Sequence, residues 1–375
     1  MKIEKAKSSE YKKIMRFLED VYGHPYNYFS NVYPAWKEKN TFLFENTFII
    51  KEHNEIVSLV RIFPLNLLLN GVKIKVGGIG SVSTSFSCRG KGYMSILLKE
   101  SIEEMKRKNY PVSILWGDRH RYINFGYENA GQIIEVTITK RGLDKCKIKS
   151  IEGKKYLGEK DVFKKIFDSY NKLSFRKERT KQEADLIYKR QGMSVYYAIN
   201  NNDFVYIVIE GNYCTGTIIE QSGKPSLLLS LLRSLEERFG TTNFTIQYPN
   251  VSEIPDEILD AVSSWRILPS GMVKILNLKD TFDAYKKVIE KYFPEGEEIS
   301  FQMEGGNPVI LKKTNKELII EEGKGKNFIF LKEHEMVKLV FGTFLWYPSN
   351  ISFSAIKIIK NIFPLKIFLW RLDHI

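Results

Sequence analysis

The sequence predicts an α+β protein in which mixed sheets are flanked by helices, and three observations predict it. A strand, a glycine-bearing turn, an amphipathic helix and a second strand follow one another over residues 78–115. A leucine-rich helix with the same periodicity recurs between strands near residue 230, and short alternating strands take over from Gly271. At 375 residues, a prior of about 100 to 200 residues per domain gives two or three domains.

In the first region, residues 1–140, Tyr11, Ile14, Met15, Leu18 and Val21 form one face of an opening helix, with Ser8 and Ser9 as candidate caps. Strands fit Thr47 to Lys51, Ile56 to Phe63 and Lys73 to Gly80, and Asn70-Gly71 supplies a hairpin turn between apolar runs. Met94, Leu97, Leu98, Ile102 and Met105 recur at mostly three- and four-residue spacing, which predicts the helix behind the glycine turn. Lys106, Arg107 and Lys108 suit the negative end of its dipole, and Asn109 with Pro111 ends it before the strand Val112 to Leu115.

The second region, 141–272, reads as strands Ser194 to Ile199, Phe204 to Ile209, Tyr213 to Ile219 and Phe244 to Tyr248. Between the last two, Leu228, Leu231, Leu232, Leu235 and Phe239 repeat the helical period of the first region. The turn before that helix, Gln221 to Pro225, has no phosphate-binding form, and Pro225 removes an N–H donor. In the third region, 273–375, a strand at Met272 to Asn277 leads to a helix over Thr281 to Tyr292. Strands follow at Ile299 to Met303, Val309 to Lys312, Glu317 to Glu321 and Asn327 to Leu331, then a helix around Glu333 to Phe341.

Apolar residues make up 43% and charged residues 27%, a globular balance, and 24 Phe with 20 Tyr supply bulk for the cores. No apolar run approaches the roughly 18 residues of a membrane span, and the polar start lacks a secretory core, so a cytoplasmic location is expected. Cys88, Cys146 and Cys214 match neither zinc spacing nor a disulfide scaffold and read as free thiols; no metal is expected. The formal charge of +13 suits an anionic ligand, but acidic and basic residues are interspersed and no nucleic-acid-binding motif is present, so no nucleic-acid partner is expected.

The motif that carries chemistry is Gly78-Ile79-Gly80-Ser81-Val82-Ser83-Thr84 followed by Arg89-Gly90-Lys91-Gly92-Tyr93-Met94. Successive backbone N–H groups of such a turn, continued by a helix N-terminus, form a cradle for a pyrophosphate. The glycine spacing is not that of a Rossmann dinucleotide site, and no Gly-Lys-Ser/Thr ends the turn as in a Walker A loop. Tyr122-Ile123-Asn124-Phe125-Gly126-Tyr127 follows the next strand.

Arg89, Gly92 and Met94 stand at the marked positions of the Arg/Gln-x-x-Gly-x-Gly/Ala turn, with Met in place of the last small residue. Together with Tyr122 and Phe125-Gly126-Tyr127, this resembles the GNAT superfamily of N-acetyltransferases, and the whole order resembles its enhanced-intracellular-survival (Eis-like) branch. The resemblance implies tandem GNAT folds, the second degenerate, followed by a sterol-carrier-like α/β domain. It implies acetyl-CoA as co-substrate and transfer of its acetyl group to a primary amine by direct attack on the thioester. A homo-oligomer is expected from it as well.

By the same resemblance, Val82, Ser83 and Thr84 would pair with pantetheine, and Arg89, Gly90, Lys91, Gly92, Tyr93 and Met94 would hold the phosphates. Tyr122 is the implied general acid, since a phenol of pKa near 10 is protonated at neutral pH, whereas Tyr127 reads as core. The carboxylate of Ile375 is the implied base, with His374, Asp118, His120 and His24 as alternatives. Gly117 and Asp118 replace the branch's usual Ser-Glu pair. The branch acetylates aminoglycosides and polyamines; peptide and lysine amines and other small amines stay open as acceptors. A catalytically decayed protein that binds CoA or an apolar ligand is the alternative function.

Overall fold

The computed structural model describes residues 2–33, 36, 42–211, 216–315 and 317–374. Its first stretch runs β1 (Ile3–Lys5), α1 (Tyr11–Tyr22), α2 (Tyr28–Val32), β2 (Thr47–Glu52), β3 (Glu55–Leu69) and β4 (Val72–Thr84), then α3 (Tyr93–Arg107), β5 (Val112–Leu115), α4 (Arg119–Tyr122) and β6 (Glu128–Ala130). Asn70 (φ 51°) and Gly71 (φ 88°) both take the left-handed conformation that a two-residue hairpin needs between right-twisted strands. Ser8 and Ser9 do not cap α1. They lie in a short 3-10 turn whose start is closed by the Glu10 carboxylate, accepting from the Lys7 N–H at 2.8 Å.

The middle stretch gives β7 (Ile133–Thr139), α5 (Lys140–Lys145), β8 (Lys154–Lys155), α6 (Lys160–Tyr170), β9 (Phe175–Lys177) and α7 (Lys181–Ile187). It continues through β10 (Met193–Asn200), β11 (Asp203–Glu210), β12 (Thr217–Gly223), α8 (Pro225–Phe239), β13 (Asn243–Tyr248), α9 (Asp256–Ala261) and β14 (Val262–Leu268). The run Gln221 to Gly223, expected as a turn, is the end of β12 paired with β11. A Cβ on Gly223 would come within 2.2 Å of the Phe204 carbonyl oxygen, so the close approach of β11 requires glycine there. Cys214 and the start of the strand expected at Tyr213 lie outside the described residues.

The last stretch gives β15 (Gly271–Ile275), α10 (Leu278–Ala284), α11 (Lys286–Tyr292), β16 (Glu298–Met303), β17 (Val309–Thr314), β18 (Glu317–Glu322), β19 (Phe328–Leu331), α12 (Glu333–Phe341) and α13 (Phe353–Ile362). The single helix expected at 281–292 is two, because the chain turns at Tyr285. α13 was not anticipated; its lysines 357 and 360 obscure an apolar face of Ala355, Ile358, Ile359 and Ile362.

Three sheets result. The first has the order β1-β2-β3-β4-β5-β15-β6, with β9 added beside β3; the second β14-β7-β13-β12-β11-β10-β8; the third β18-β17-β16-β19. The first two each contain a parallel pair bridged by a helix: β4 and β5 by α3, β12 and β13 by α8. β15, expected to open the third region, is instead hydrogen-bonded inside the first sheet between β5 and β6. Its buried Lys274 pairs with Glu333 of α12 at 2.6 Å and so ties the third region to this sheet.

Alternation in β3 and β4 sorts residues to two faces. Ile62 and Ile79 face α3, where Leu97, Leu98, Ile102 and Met105 are buried, each contributing about 1.5–3 kcal/mol. Leu59 and Ile49 face α1, against Ile14 and Leu18. Arg61 and Phe63 share that second face, directly opposite Gly80 and Gly78.

Candidate active site

β4 and β5 pair only at Val76–Val112, Gly77–Ser113 and Gly78–Ile114, after which β5 ends while β4 runs on to Thr84. The two strands therefore part, and the β5-facing edge of β4 is left without a strand partner beyond Gly78. A bulge sets the parting: Val60 of β3 faces both Ser81 and Val82, and Ser81 takes φ 52°, which re-aims the residues after it.

The cleft so formed is lined by Val82, Ser83, Thr84, Arg89, Gly90, Gly92, Tyr93 and Met94, with Tyr22, Cys88 and Arg121. Gly90 and Gly92 have φ of 80° and 78°, and a Cβ on either would point into open space; backbone conformation, not crowding, demands glycine there. The first hydrogen bond of α3 runs from the Ile96 N–H to the Gly92 carbonyl at 3.1 Å. The N–H groups of Tyr93, Met94 and Ser95 precede it and have no intrahelical acceptor. The Arg89 guanidinium lies 3.9 Å from the Phe86 ring centroid at the rim.

Lys91 is not among the residues lining the cleft. Its Nζ donates to Glu52 Oε1 at 2.9 Å, and the Tyr93 hydroxyl donates to the same oxygen, so both side chains clasp the end of β2 and hold the turn shut around its backbone donors. These bonds hold the Glu52 carboxyl down at about 2. The folded value lies below the unfolded one, so the clasp's contribution is present above the ordinary carboxylate range and lost only as pH falls through about 2. On the expectation of an acetyl-CoA site that the sequence resemblance gives, Glu52→Gln should raise KM for acetyl-CoA several-fold with kcat unchanged, read from steady-state kinetics; an unchanged KM would show that the turn needs no clasp.

Tyr122 ends α4 and is 6% exposed, its ring seated on Gly117. A Cβ on Gly117 would come 2.4 Å from Tyr122 Cε2, which gives the departure at position 117 a physical reason. Burial raises the Tyr122 phenol, opposed by the charge of the adjacent Arg121 guanidinium. Gly117→Ala should displace the ring and, as misplacements of about 1 Å do, lower kcat by up to about 10²-fold with little change in KM for acetyl-CoA. Wild-type kcat in that variant would argue against a catalytic role for the ring. Tyr127 is fully buried core, its hydroxyl 2.8 Å from Ser113 Oγ.

Tyr22, at the end of α1, donates to the Val82 carbonyl at 3.1 Å. Its phenol is pushed up to about 12 by burial, with the Tyr122 and Tyr33 phenols adding to the effect. Tyr33 belongs to a second cavity, walled by Trp36, Arg61, Phe63, Ile187, Arg190 and the C-terminal residues Leu372, Asp373 and His374.

A buried ion network docks the C-terminal residues there. Asp373 accepts from Arg179 Nε at 2.8 Å and Nη2 at 2.7 Å, and Arg179 also reaches Glu220 of β12 at 2.5 Å. Tyr188 and Tyr206 donate to Glu220, each at 2.9 Å, and Tyr170 donates to Asp373 at 3.2 Å. Burial raises the Glu220 carboxyl, against the pull of Arg179 and with the Asp373 charge adding. Trp370 Nε1 donates to the Phe175 carbonyl at 2.9 Å, and His374 stacks on Trp116, centroids 3.9 Å apart. Trp116 directly precedes Gly117, so the network brings the C-terminal residues beside Tyr122's seat. Ile375 lies outside the described residues.

Burial holds the His374 imidazole down at about 3, which makes it a poor proton acceptor. Asp118 caps α4 through the His120 N–H at 2.9 Å, and His24 stacks on Tyr28 at 3.7 Å. Asp118 and His24 thus have local structural duties. Sequence reasoning missed Glu52, Tyr22, Arg61 and the Arg179 network; the one available signal was Arg61, the lone charge in the apolar run Ile56 to Phe63. Among the described residues no cluster of metal ligands occurs, and no described helix is long and apolar enough to cross a membrane.

Comparison with known proteins agrees with this geometry. Residues 2–130 match the family described as acetyltransferase (GNAT) domain. No curated protein matches the sequence. Among solved structures, a probable N-acyltransferase of unknown function from Enterococcus faecalis is similar at TM-score 0.72 and 16% identity, over 100% of this chain and 99% of that one. A GCN5-related N-acetyltransferase from Kribbella flavida gives TM-score 0.71 and 12% identity, covering 100% and 98%. Eis1 from Mycobacterium abscessus gives 0.69 and 9%, covering 100% of both chains. At these identities the likeness is one of fold, and it extends over the full length.

Proposed function

We propose that this protein is an acetyl-CoA-dependent N-acetyltransferase that acetylates a primary amine of a small molecule or peptide by direct attack on the thioester. The observation that carries the reading is the parting of β4 from β5 beside a turn whose last N–H groups, at the head of α3, have no intrahelical acceptor, with Tyr122 at the end of α4, the helix that follows β5. Bound acetyl-CoA would supply the acetyl thioester, and the residues present fit it: N–H groups of Gly90 to Met94 for the pyrophosphate, Arg89 at its flank, and the Val82 to Thr84 edge for the amides of the pantetheine.

Tyr122 Oη, kept protonated at neutral pH by burial, would give its proton to the departing thiolate. The terminal carboxylate of Ile375 is proposed to take the proton of the amine, because the docked residues 370–374 lead the chain towards Trp116 and Tyr122. In this reading the second sheet is a GNAT-like unit that has lost its cofactor turn, residues 273–375 are sterol-carrier-like, and the protein works as a cytoplasmic homo-oligomer.

The burial of Tyr122 favours a second reading, a catalytically decayed protein that still binds CoA or an apolar ligand. Calorimetric titration with acetyl-CoA beside a thiol-release assay over polyamines, aminoglycosides and peptides separates them. Binding with acceptor-dependent release supports the transferase, binding without release supports the decayed protein, and absence of binding removes the proposed cofactor.

A further inference from the structure

The second cavity holds two arginines that the proposed reaction does not use. Arg61 is 2% exposed, and its guanidinium carbon lies 3.8 Å from the Phe42 ring centroid, 4.6 Å from Phe63 and 4.8 Å from Trp36. Its Nε and Nη1 have no hydrogen-bond partner among the described residues. Burial lowers the guanidinium to about 9, with Glu45 opposing, so it is still a cation at neutral pH. Ring faces attract a cation but accept no in-plane N–H bond, so the stacking leaves those donors open.

Arg190 repeats the pattern. It lies 4.3 Å over the Tyr33 ring and donates through Nη1 to the Leu372 carbonyl at 2.8 Å, while its buried Nε has no partner among the described residues. The acids of the same wall are already engaged. Glu183 bonds Lys177 at 3.4 Å and the Thr180 N–H at 2.8 Å, and Asp373 is held by Arg179. Among the described residues the wall therefore presents two guanidiniums and no free side-chain carboxylate to meet a polycation.

We infer that the acceptor is a primary amine that also carries an anionic group, carboxylate or phosphate, held by Arg61 and Arg190 while Trp36, Phe63 and Ile187 take its apolar body. The inference rests on the acetyl-transfer reading and makes it specific. Polyamines and aminoglycosides are disfavoured by the same charges.

The test uses the full chain and matched acceptors: glycyl-phenylalanine against its C-terminal amide, O-phosphoethanolamine against ethanolamine, and spermidine and kanamycin as cations. The anion-bearing member of at least one pair is expected to be favoured by about tenfold or more in kcat/KM, and the pair that responds distinguishes carboxylate from phosphate. Arg61→Gln should raise KM for that acceptor by about tenfold, and by clearly more than KM for the neutral partner. Arg190→Gln should act in the same direction and serves if the first variant does not fold.

Equal rates within both pairs, a preference for spermidine or kanamycin, or an equal loss towards neutral and anionic acceptors would each overturn the proposal. If no amine turns over, calorimetric titration of glycyl-phenylalanine and O-phosphoethanolamine against their neutral partners decides it by the same preference. Acetyl-CoA binding is measured separately. A protein that binds it and acetylates cations keeps the transferase reading and loses this one.

Discussion

Tyr122→Phe is expected to lower kcat by about 10²- to 10⁴-fold, the range a positioned proton donor supplies, with KM for acetyl-CoA unchanged. The ring packs on Gly117 and meets Tyr127 edge to face at 6.3 Å, so removing the hydroxyl leaves the packing in place. The pH profile offers a second check. Burial lifts the Tyr122 phenol above its ordinary value, so the protonated form persists into alkaline solution and kcat should not decline through the pH range where an exposed tyrosine ionises. Full activity of the Phe variant would move the proton donor elsewhere.

The second large effect is on stability. Arg179→Met would leave Glu220 and Asp373, both buried, without their shared cation, and breaking such a network typically costs about 3–5 kcal/mol. The loss is expected to depend on pH. Burial already raises the Glu220 carboxyl, and without Arg179 the charge that opposes this rise is gone. Protonation then favours the folded state, so the penalty should be smaller at pH 5 than at pH 8. Urea unfolding at the two pH values measures it. A second readout is tryptophan fluorescence, because release of Asp373 would free His374 from Trp116. A variant equally destabilised at both pH values would mean that packing, not charge, holds the network.

What could be read from the sequence divides by the distance over which each feature is determined. The Asn70-Gly71 hairpin, the period of α3 and the left-handed glycines at its head are local, and each lies where residue chemistry alone places it. The cleft-lining residues follow because strand, turn and helix are contiguous. The clasp of Lys91 on Glu52 spans 39 residues and the Arg179–Asp373 pair 194, and neither leaves a local periodicity. Arg61 was hidden for another reason. A charge in an apolar strand can be an edge residue or a buried one, and only the rings of Trp36, Phe42 and Phe63 around it decide which.

The place of β15 between β5 and β6 bears on how the protein comes to be. Met272 pairs with Leu115, so the sheet that carries Tyr122 stays unfinished on the ribosome until the middle region has been synthesised. Until then β5 and β6 each lack the neighbour that separates them, and an open strand edge invites pairing with other chains. A nascent chain halted after residue 130 would hold every residue of the cradle and still lack this strand. Such high contact order predicts slow maturation, with activity emerging late and all three regions inherited as one unit.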